Sequence, residues 1–261
     1  MLINQRHDQI LSIVNARGRV GVKELSEALN VSEPTIRRDL ALLAREGLLI
    51  RVHGGAVRNK ALPPEPPLWN GQHERSAQKQ LIGCAAARLI ESGETVFLGS
   101  GTTVLEVTAA LKARQDLERV TVITNSIPVV NMLINEQRFS LILVGGFVRH
   151  EEHSAVGWIA EATLRDLRAD KVIIGIGGVD LENGLLSAHV AEVMTDRAIL
   201  SMGSEVIVVA DSSKFGRREA VRLAPLSVIH TIVTDEGTPD EVLVNLRSQR
   251  INVVVARASQ S

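Results

Sequence analysis

The stretch VSEPTIRRDLALLAREGLLIRVHGGA, Val31 to Ala56, decides how the chain is read. Ser32 stands where a helix N-cap belongs. Pro34 falls in the first turn, where a missing N–H costs nothing, so the stretch predicts a helix from near Glu33. Its apolar stripe is Ile36, Leu40 and Leu43, which leaves Thr35, Arg37, Arg38, Ala41 and Arg45 off the stripe. Leu42 is also off it and is expected to pack on the hairpin that follows. LLIRVHGGA reads as a strand from Leu48 to His53 closed by a Gly54–Gly55 turn, a small wing beside the helix.

Working outward, a first helix is expected from about Asn4 to Asn15 with Ile10, Ile13 and Val14 facing inward. A second is VKELSEALN, where Val22, Leu25 and Leu29 recur at helical spacing, and Val31 makes the turn into the third. A tight turn followed by a capped helix with basic residues in its first turns suits the major groove of DNA, which is wide enough for one helix. Arginine matches both phosphate oxygens and the O6/N7 edge of guanine. The residues expected to meet double-stranded DNA are Ser32, Thr35, Arg37 and Arg38 on the helix, and Arg51, His53 and Gly54 on the wing. Two adjacent arginines alone would read as solvated helix charges; the cap, the turn and the wing together favour DNA.

Charge supports this division. The 261-residue chain has a formal net charge of −1, but residues 1 to 60 hold ten Lys and Arg against six acids, a local +4, leaving −5 for the remainder. A small basic piece on a larger acidic one is what results when one part meets a polyanion and the other does something else. The longest apolar runs, VIIGIG at 172–177 and VIVVA at 206–210, are far shorter than the roughly 20 residues that span a bilayer. MLINQRHDQILSIV lacks the uninterrupted apolar block of a secretory signal, so a cytoplasmic protein without membrane association is expected. The single cysteine, Cys84, has no partner for an internal disulfide, and IGCAAARLI suggests a small buried side chain on a helix.

Four prolines within LPPEPP, at 63–67, remove backbone donors and hold the chain extended. They divide it into a DNA-binding domain over 1–58, a linker over 59–74 and a second domain over 75–257. Past the linker, TVFL, VTVIT, LILVGG (141–146), KVIIGIGG (171–178), EVIVVAD (205–211), TIVTD and NVVVA alternate with amphipathic segments. Continuous β-branched runs separated by helices predict an α/β domain of Rossmann-like build, a mostly parallel sheet covered on both faces.

The run VSEPTIRRDLALLAREGLLIRVHGGA resembles the DeoR family of bacterial transcription regulators, whose N-terminal winged helix-turn-helix carries a VSxxTIRRDL helix and an RxHGGA wing. The resemblance implies operator binding by the first domain. It implies sensing of a phosphorylated sugar or related metabolite by the second, and repression in most members. Two-fold operators make a homodimer or homotetramer the economical form.

In the second domain, FLGSGTTVLEV, Phe97 to Val107, reads as a strand, a small-residue turn and a helix from about Thr102. Free N–H groups and the positive end of a helix dipole then point into one spot, a phosphate cradle, although small residues also serve such turns for steric reasons alone. GSGTT, TNS, GGVD, NGL and DSSK are similar to motifs around the family's ligand pocket, in a fold like that of ribose-5-phosphate isomerase and coenzyme A transferases. The resemblance implies that Ser100, Gly101, Thr102 and Thr103 hold an anionic group, that Lys214 adds a positive charge, and that Asn125 and Asp180 bond to hydroxyls. The chain departs from the family pattern at Gly99, where an aspartate is common, and at Asp196, where a lysine is usual.

An isomerase-type enzyme fused to a DNA-binding module is the alternative, with Glu192 as base and Lys214 as polarising group. An acid in a first helical turn is also simply favoured by the dipole, and attachment to a DNA-binding module argues for sensing. His150 and His153 in RHEEH lack a third ligand nearby, and GIGGVD falls short of GxGxxG. No metal or other cofactor is expected.

Overall fold

The computed structural model describes residues 3–45, 49–57 and 74–258. The linker assigned to 59–74 lies outside the described residues except for Glu74, as does Leu48 at the expected start of the wing. Among the described residues no helix is long and apolar enough to cross a membrane.

The first domain runs α1 (Ile3–Arg17), β1 (Arg19–Gly21), α2 (Val22–Leu29), α3 (Glu33–Arg45), β2 (Ile50–Val52) and β3 (Gly55–Val57). Asn30 ends α2 in the left-handed conformation, and the Val31 N–H and C=O are both tied back to Ser26, which fixes the short turn into α3. At the start of α3 the Ser32 carbonyl accepts from the Thr35 and Ile36 N–H groups, and the Ser32 and Thr35 hydroxyls bond to each other at 2.9 Å. Ile36, Leu40 and Leu43 are buried with Ile10, Val14, Val22 and Leu25, as the helical spacing predicts. Leu42 is a correction: it is 38% exposed, and Leu49 is the leucine buried at the foot of the wing.

The wing also differs from its reading. The first strand is shorter than Leu48–His53, the turn is His53–Gly54, and Gly55 already belongs to the return strand, pairing with Val52. Gly54 takes a φ of +80°, which favours glycine. Gly55 is required for another reason. The unanticipated β1 pairs with β3 in a three-stranded sheet of order β1-β3-β2, so closely that a Cβ on Gly55 would lie 2.1 Å from the Val20 carbonyl oxygen. Gly55→Ala is therefore expected to prise β1 from β3 at a cost of about 1–3 kcal/mol. An unchanged thermal midpoint for this variant would show that the sheet has slack the geometry does not.

The second domain begins with α4 (Ser76–Ala87), then β4 (Thr95–Leu98), α5 (Thr102–Ala113), β5 (Val120–Thr124), α6 (Ile127–Leu133) and β6 (Phe139–Leu143). A hairpin of β7 (Phe147–Arg149) and β8 (Ser154–Val156) leads to α7 (Trp158–Asp166) and β9 (Ala169–Gly175). Next come β10 (Gly178–Asp180), β11 (Gly184–Ser187), α8 (Val193–Met202), β12 (Gly203–Val209) and β13 (Val221–Ala224). The chain closes with β14 (Thr231–Asp235), α9 (Asp240–Ser248) and β15 (Asn252–Ala256). The main sheet has seven strands, all parallel, in the order β15-β14-β12-β9-β4-β5-β6. Apolar residues of its strands are buried on both faces, which the unbroken β-branched runs demand.

Several boundaries move. LILVGG contributes only its first three residues to β6, which starts at Phe139. KVIIGIGG leaves the main sheet at Gly175, and its end becomes β10 of a separate antiparallel sheet, β10-β11-β13. Cys84 lies on a helix as expected but is exposed, not buried. Its neighbour Gly83 is the buried one: a Cβ there would come within 2.5 Å of the Glu106 carbonyl carbon, so α4 and α5 touch backbone to backbone.

Candidate functional site

On the first domain, Ser32, Arg37 and Arg38 are exposed along α3 and Thr35 is half-buried; Arg51, His53 and Gly54 are exposed along the wing. Arg37 is partly engaged by Glu33, one helical turn earlier, at 3.2 Å. That pair is solvent-exposed and contributes little to stability, so it leaves Arg37 able to swing to a phosphate. Arg38 makes no ion pair among the described residues.

The sequence reading missed the group that holds α3 in place. Asp39, in the same TIRRDL run, turns inward and is buried. Its carboxylate accepts from Arg6 Nε at 2.5 Å and Nη2 at 3.1 Å, and lies 3.0 Å from His7 Nε2. Burial alone would raise the Asp39 pKa, but the Arg6 and His7 hydrogen bonds and charges outweigh it and hold the carboxyl below its usual range.

In the second domain the strand order reverses between β4 and β9, and in open α/β sheets ligands settle at such a point beyond the carboxyl ends of the strands. The Ser100–Thr103 turn lies there. Gly99 bonds through its N–H to the Ile173 carbonyl, and a Cβ on it would come 3.3 Å from Ile174 Cγ2. Gly101, at a φ of +103°, is the N-cap of α5 and supplies no side chain to it. The first-turn N–H groups of α5 thus keep their anion-binding capacity.

Two lysines share a cavity of this domain. Helices α4 and α5 pack against each other on one face of the sheet, with Gly83 against Glu106, and Lys79 lies one turn before Gly83 on α4. Lys79 is 6% exposed. It joins Lys214, predicted from sequence, with Arg75, Arg217, Glu74 and Asp211 around a cavity of about 280 Å³. Burial, together with the neighbouring cation Lys214, lowers the Lys79 pKa against the pull of Asp211. Burial and Arg217 do the same to Lys214. Asp211 is largely occupied, its Oδ1 accepting from the Ser213 N–H and hydroxyl. An anion in this cavity would relieve cations that the fold has desolvated. Lys79 had a signal in sequence: a charge on the Ile82/Ala86 stripe of an otherwise apolar helix.

Asn125 follows β5 and is 2% exposed. Its Nδ2 donates to the Ala155 carbonyl at 3.0 Å, while its Oδ1 has no hydrogen-bond partner. Asp180 lies elsewhere. Its Oδ1 accepts from the Glu182 and Asn183 N–H groups and from Asn183 Nδ2, closing the β10–β11 turn, and it lines a different cavity of about 460 Å³. Those backbone hydrogen bonds lower its pKa.

Glu192 is buried at the N-cap of α8. Its Oε1 accepts from the Ser154 hydroxyl at 2.8 Å and pairs with Arg149 Nη1 at 2.6 Å. A carboxylate so engaged is poorly placed to abstract a proton. Nearby, burial and the charge of Glu192 push Glu152 up to about 7 and raise Asp196 well above the carboxylate range, with His189 and Arg149 opposing both shifts. His150 and His153 fall in a turn, not on a helix, and no group of three or more potential metal ligands exists among the described residues.

Residues 6–61 match the DeoR-like helix-turn-helix domain and residues 74–236 the DeoR C terminal sensor domain. The chain is 32% identical to the putative aga operon transcriptional repressor of Escherichia coli O157:H7, over 97% of this chain and 93% of that one. It is 35% identical to the glycerol-3-phosphate regulon repressor of Escherichia coli K12, over 95% of this chain and 97% of that one. Among solved structures, it is similar to ribose 5 phosphate isomerase A from Neisseria gonorrhoeae at a TM-score of 0.40 and 14% identity, covering 54% of this chain and 53% of that one. Both family domains, in order, and full-length similarity to named repressors place the chain in the DeoR family of DNA-binding transcription regulators.

Proposed function

We propose that the protein is a ligand-controlled repressor of an operon of sugar or related carbon metabolism. It binds a two-fold operator as a homodimer or homotetramer, and a phosphorylated metabolite in the second domain sets its affinity for DNA. Two features support this reading. The first turn of α5 at the switch point of the sheet has no side-chain cap, and Lys79 and Lys214, both desolvated, share a cavity, in a chain whose other domain presents Arg38 and Arg51 to solvent. Ser100 to Thr103 take the phosphate, the lysines neutralise it, and Asn125 accepts from the ligand. Ser32, Thr35, Arg37 and Arg38 enter the major groove while Arg51, His53 and Gly54 hold the flanking backbone. The effector needs to favour one arrangement of the reading heads by only about 1–3 kcal/mol to change operator affinity roughly 5- to 150-fold.

The test is a binding titration on DNA from upstream of the protein's own gene at several salt concentrations. With 6–10 phosphate contacts, affinity should fall by roughly 10³–10⁵ between 50 and 200 mM salt. A flat salt profile would remove DNA as the partner. Arg38→Ala should cost about 1–3 kcal/mol on the cognate site. A loss confined to that site identifies a base contact, an equal loss on all sequences a phosphate contact, and no loss removes Arg38 from the interface.

A further inference from the structure

Ionisable side chains gather at two ends of the second domain's ligand-facing edge, one rich in lysine and arginine and the other in carboxyl groups. One end is the cationic one already described. Toward the other, the Ser154–Ala155 segment of β8 joins two functional groups: the Ser154 hydroxyl donates to Glu192, and the Ala155 backbone holds both the carbonyl and the Nδ2 of Asn125. Because Nδ2 is fixed on Ala155, the geminal Oδ1 of Asn125 points off the strand, and it is this buried acceptor that has no partner. A buried carbonyl oxygen without a donor is destabilising, so its presence points to a donor supplied from outside the chain.

The surroundings say what kind of donor. Asp196 lies one turn after Glu192 on α8, its N–H bonded to the Glu192 carbonyl at 2.7 Å, and Glu152 comes from the turn between β7 and β8. Against these three carboxyl groups stand Arg149, whose Nη1 is on Glu192, and His189; Lys214 also acts on Glu152 from the cationic end. Glu192 is buried, but Glu152 and Asp196 keep part of their surface accessible. Burial and neighbouring carboxylate charge raise both of their pKa values, a strain that a cation beside them would relieve. A hydroxyl would satisfy Asn125 Oδ1 and leave the carboxyl charge uncompensated. An ammonium brings three donors and a positive charge.

We propose that the effector is a phosphorylated amine of small-sugar size, its phosphate on the α5 end and its protonated amine among Asn125 Oδ1, Glu152 and Asp196. This rests on the phosphate reading of the α5 end and adds the group at the other end. The anion repelled by the acidic end and the cation repelled by Lys79 and Lys214 fix a single orientation of the ligand.

The experiment measures binding to the full-length protein by calorimetry near pH 7. Glucosamine 6-phosphate and galactosamine 6-phosphate are set against glucose 6-phosphate and galactose 6-phosphate, with N-acetylglucosamine 6-phosphate and O-phosphoethanolamine as further arms. At least one amino sugar phosphate should bind tenfold or more tighter than its hydroxyl counterpart, and N-acetylation, which removes the charge, should erase the advantage. Asp196→Asn, nearly isosteric, should bring the amino and hydroxyl compounds to within about threefold of each other. O-phosphoethanolamine binding as tightly as the amino sugars would support the charge pattern and show that no sugar ring is needed. Hydroxyl and amino compounds binding equally would overturn the amine assignment and leave the phosphate end standing. No binding by any phosphorylated probe would overturn both. The N-acetyl arm uses unmodified protein, so the proposal stays exposed even if the Asp196 variant folds poorly.

Discussion

Replacing Asp39 with alanine will abolish operator binding, although the Asp39 side chain is turned away from the DNA-facing side of α3. The substitution removes the acceptor of both Arg6 hydrogen bonds and leaves a guanidinium, with a side chain only 10% exposed, without its counter-charge. Removing one partner of a buried pair costs about 3–5 kcal/mol, a large part of what a domain of this size has. The same pair tethers α1 to α3, bridging residues 33 apart in sequence, so its loss frees the angle at which α3 is presented as well as lowering stability. Urea unfolding followed by helical signal, with amide exchange over residues 3–45, would register it. A wild-type midpoint together with wild-type operator affinity would show the pair to be dispensable. The pH dependence has a definite sign. The folded-state pKa of Asp39 is depressed, so the pair's contribution is fully present above the unfolded carboxyl value, about 3.9, and is lost as pH falls through the lower folded value. The first domain should keep this contribution at neutral pH and shed it only under strongly acidic conditions.

The second large effect is expected at the start of α5. Thr102→Glu places a carboxylate in the first turn, where the helix dipole welcomes it, so the fold should tolerate the change. The introduced charge would stand where the proposed phosphate binds. Affinity for sugar phosphates should fall at least 100-fold, about 2.7 kcal/mol, while DNA binding in the absence of effector is retained. The expected phenotype is a repressor that no longer responds. A variant that still releases DNA on addition of the effector would place the phosphate elsewhere, with the cavity lined by Asp180 and Phe215 as the next position to probe.

Much of this was legible in order along the chain. The start of α3, the N-cap position of Ser32 and most main-sheet strands follow from capping and apolar patterning, because those signals are local. Where the reading failed, distant contacts decided. Leu42 is exposed while Leu49 fills the buried place beside the wing, and the wing turns one residue earlier than the Gly-Gly pair suggests because Gly55 pairs with β1. Cys84 is outward because the helix brings Gly83, not its neighbour, against Glu106. The three-residue strands of β7–β8 and of β10 are too short to show alternation, yet β8 carries Ser154 and Ala155, on which half the crevice is built. Asp39 and Lys79 interrupt apolar stripes. A charged residue on such a stripe is better read as an instruction to look for its partner, because burying it alone is too costly to persist.

The parallel sheet has a temporal consequence. Its central pair, β4 with β9, joins residues 96–98 to partners at 171–173, and the outer strand β15 ends only at 256, whereas the helices and strands of the first domain end at Val57. At roughly 5–20 residues per second of synthesis, the reading head emerges about 10–40 s before the chain that senses the metabolite is finished. A newly made molecule thus spends its first moments as a basic, DNA-competent head whose control has yet to fold. Non-local pairing of this kind is also the slow step in folding, which lengthens that interval further.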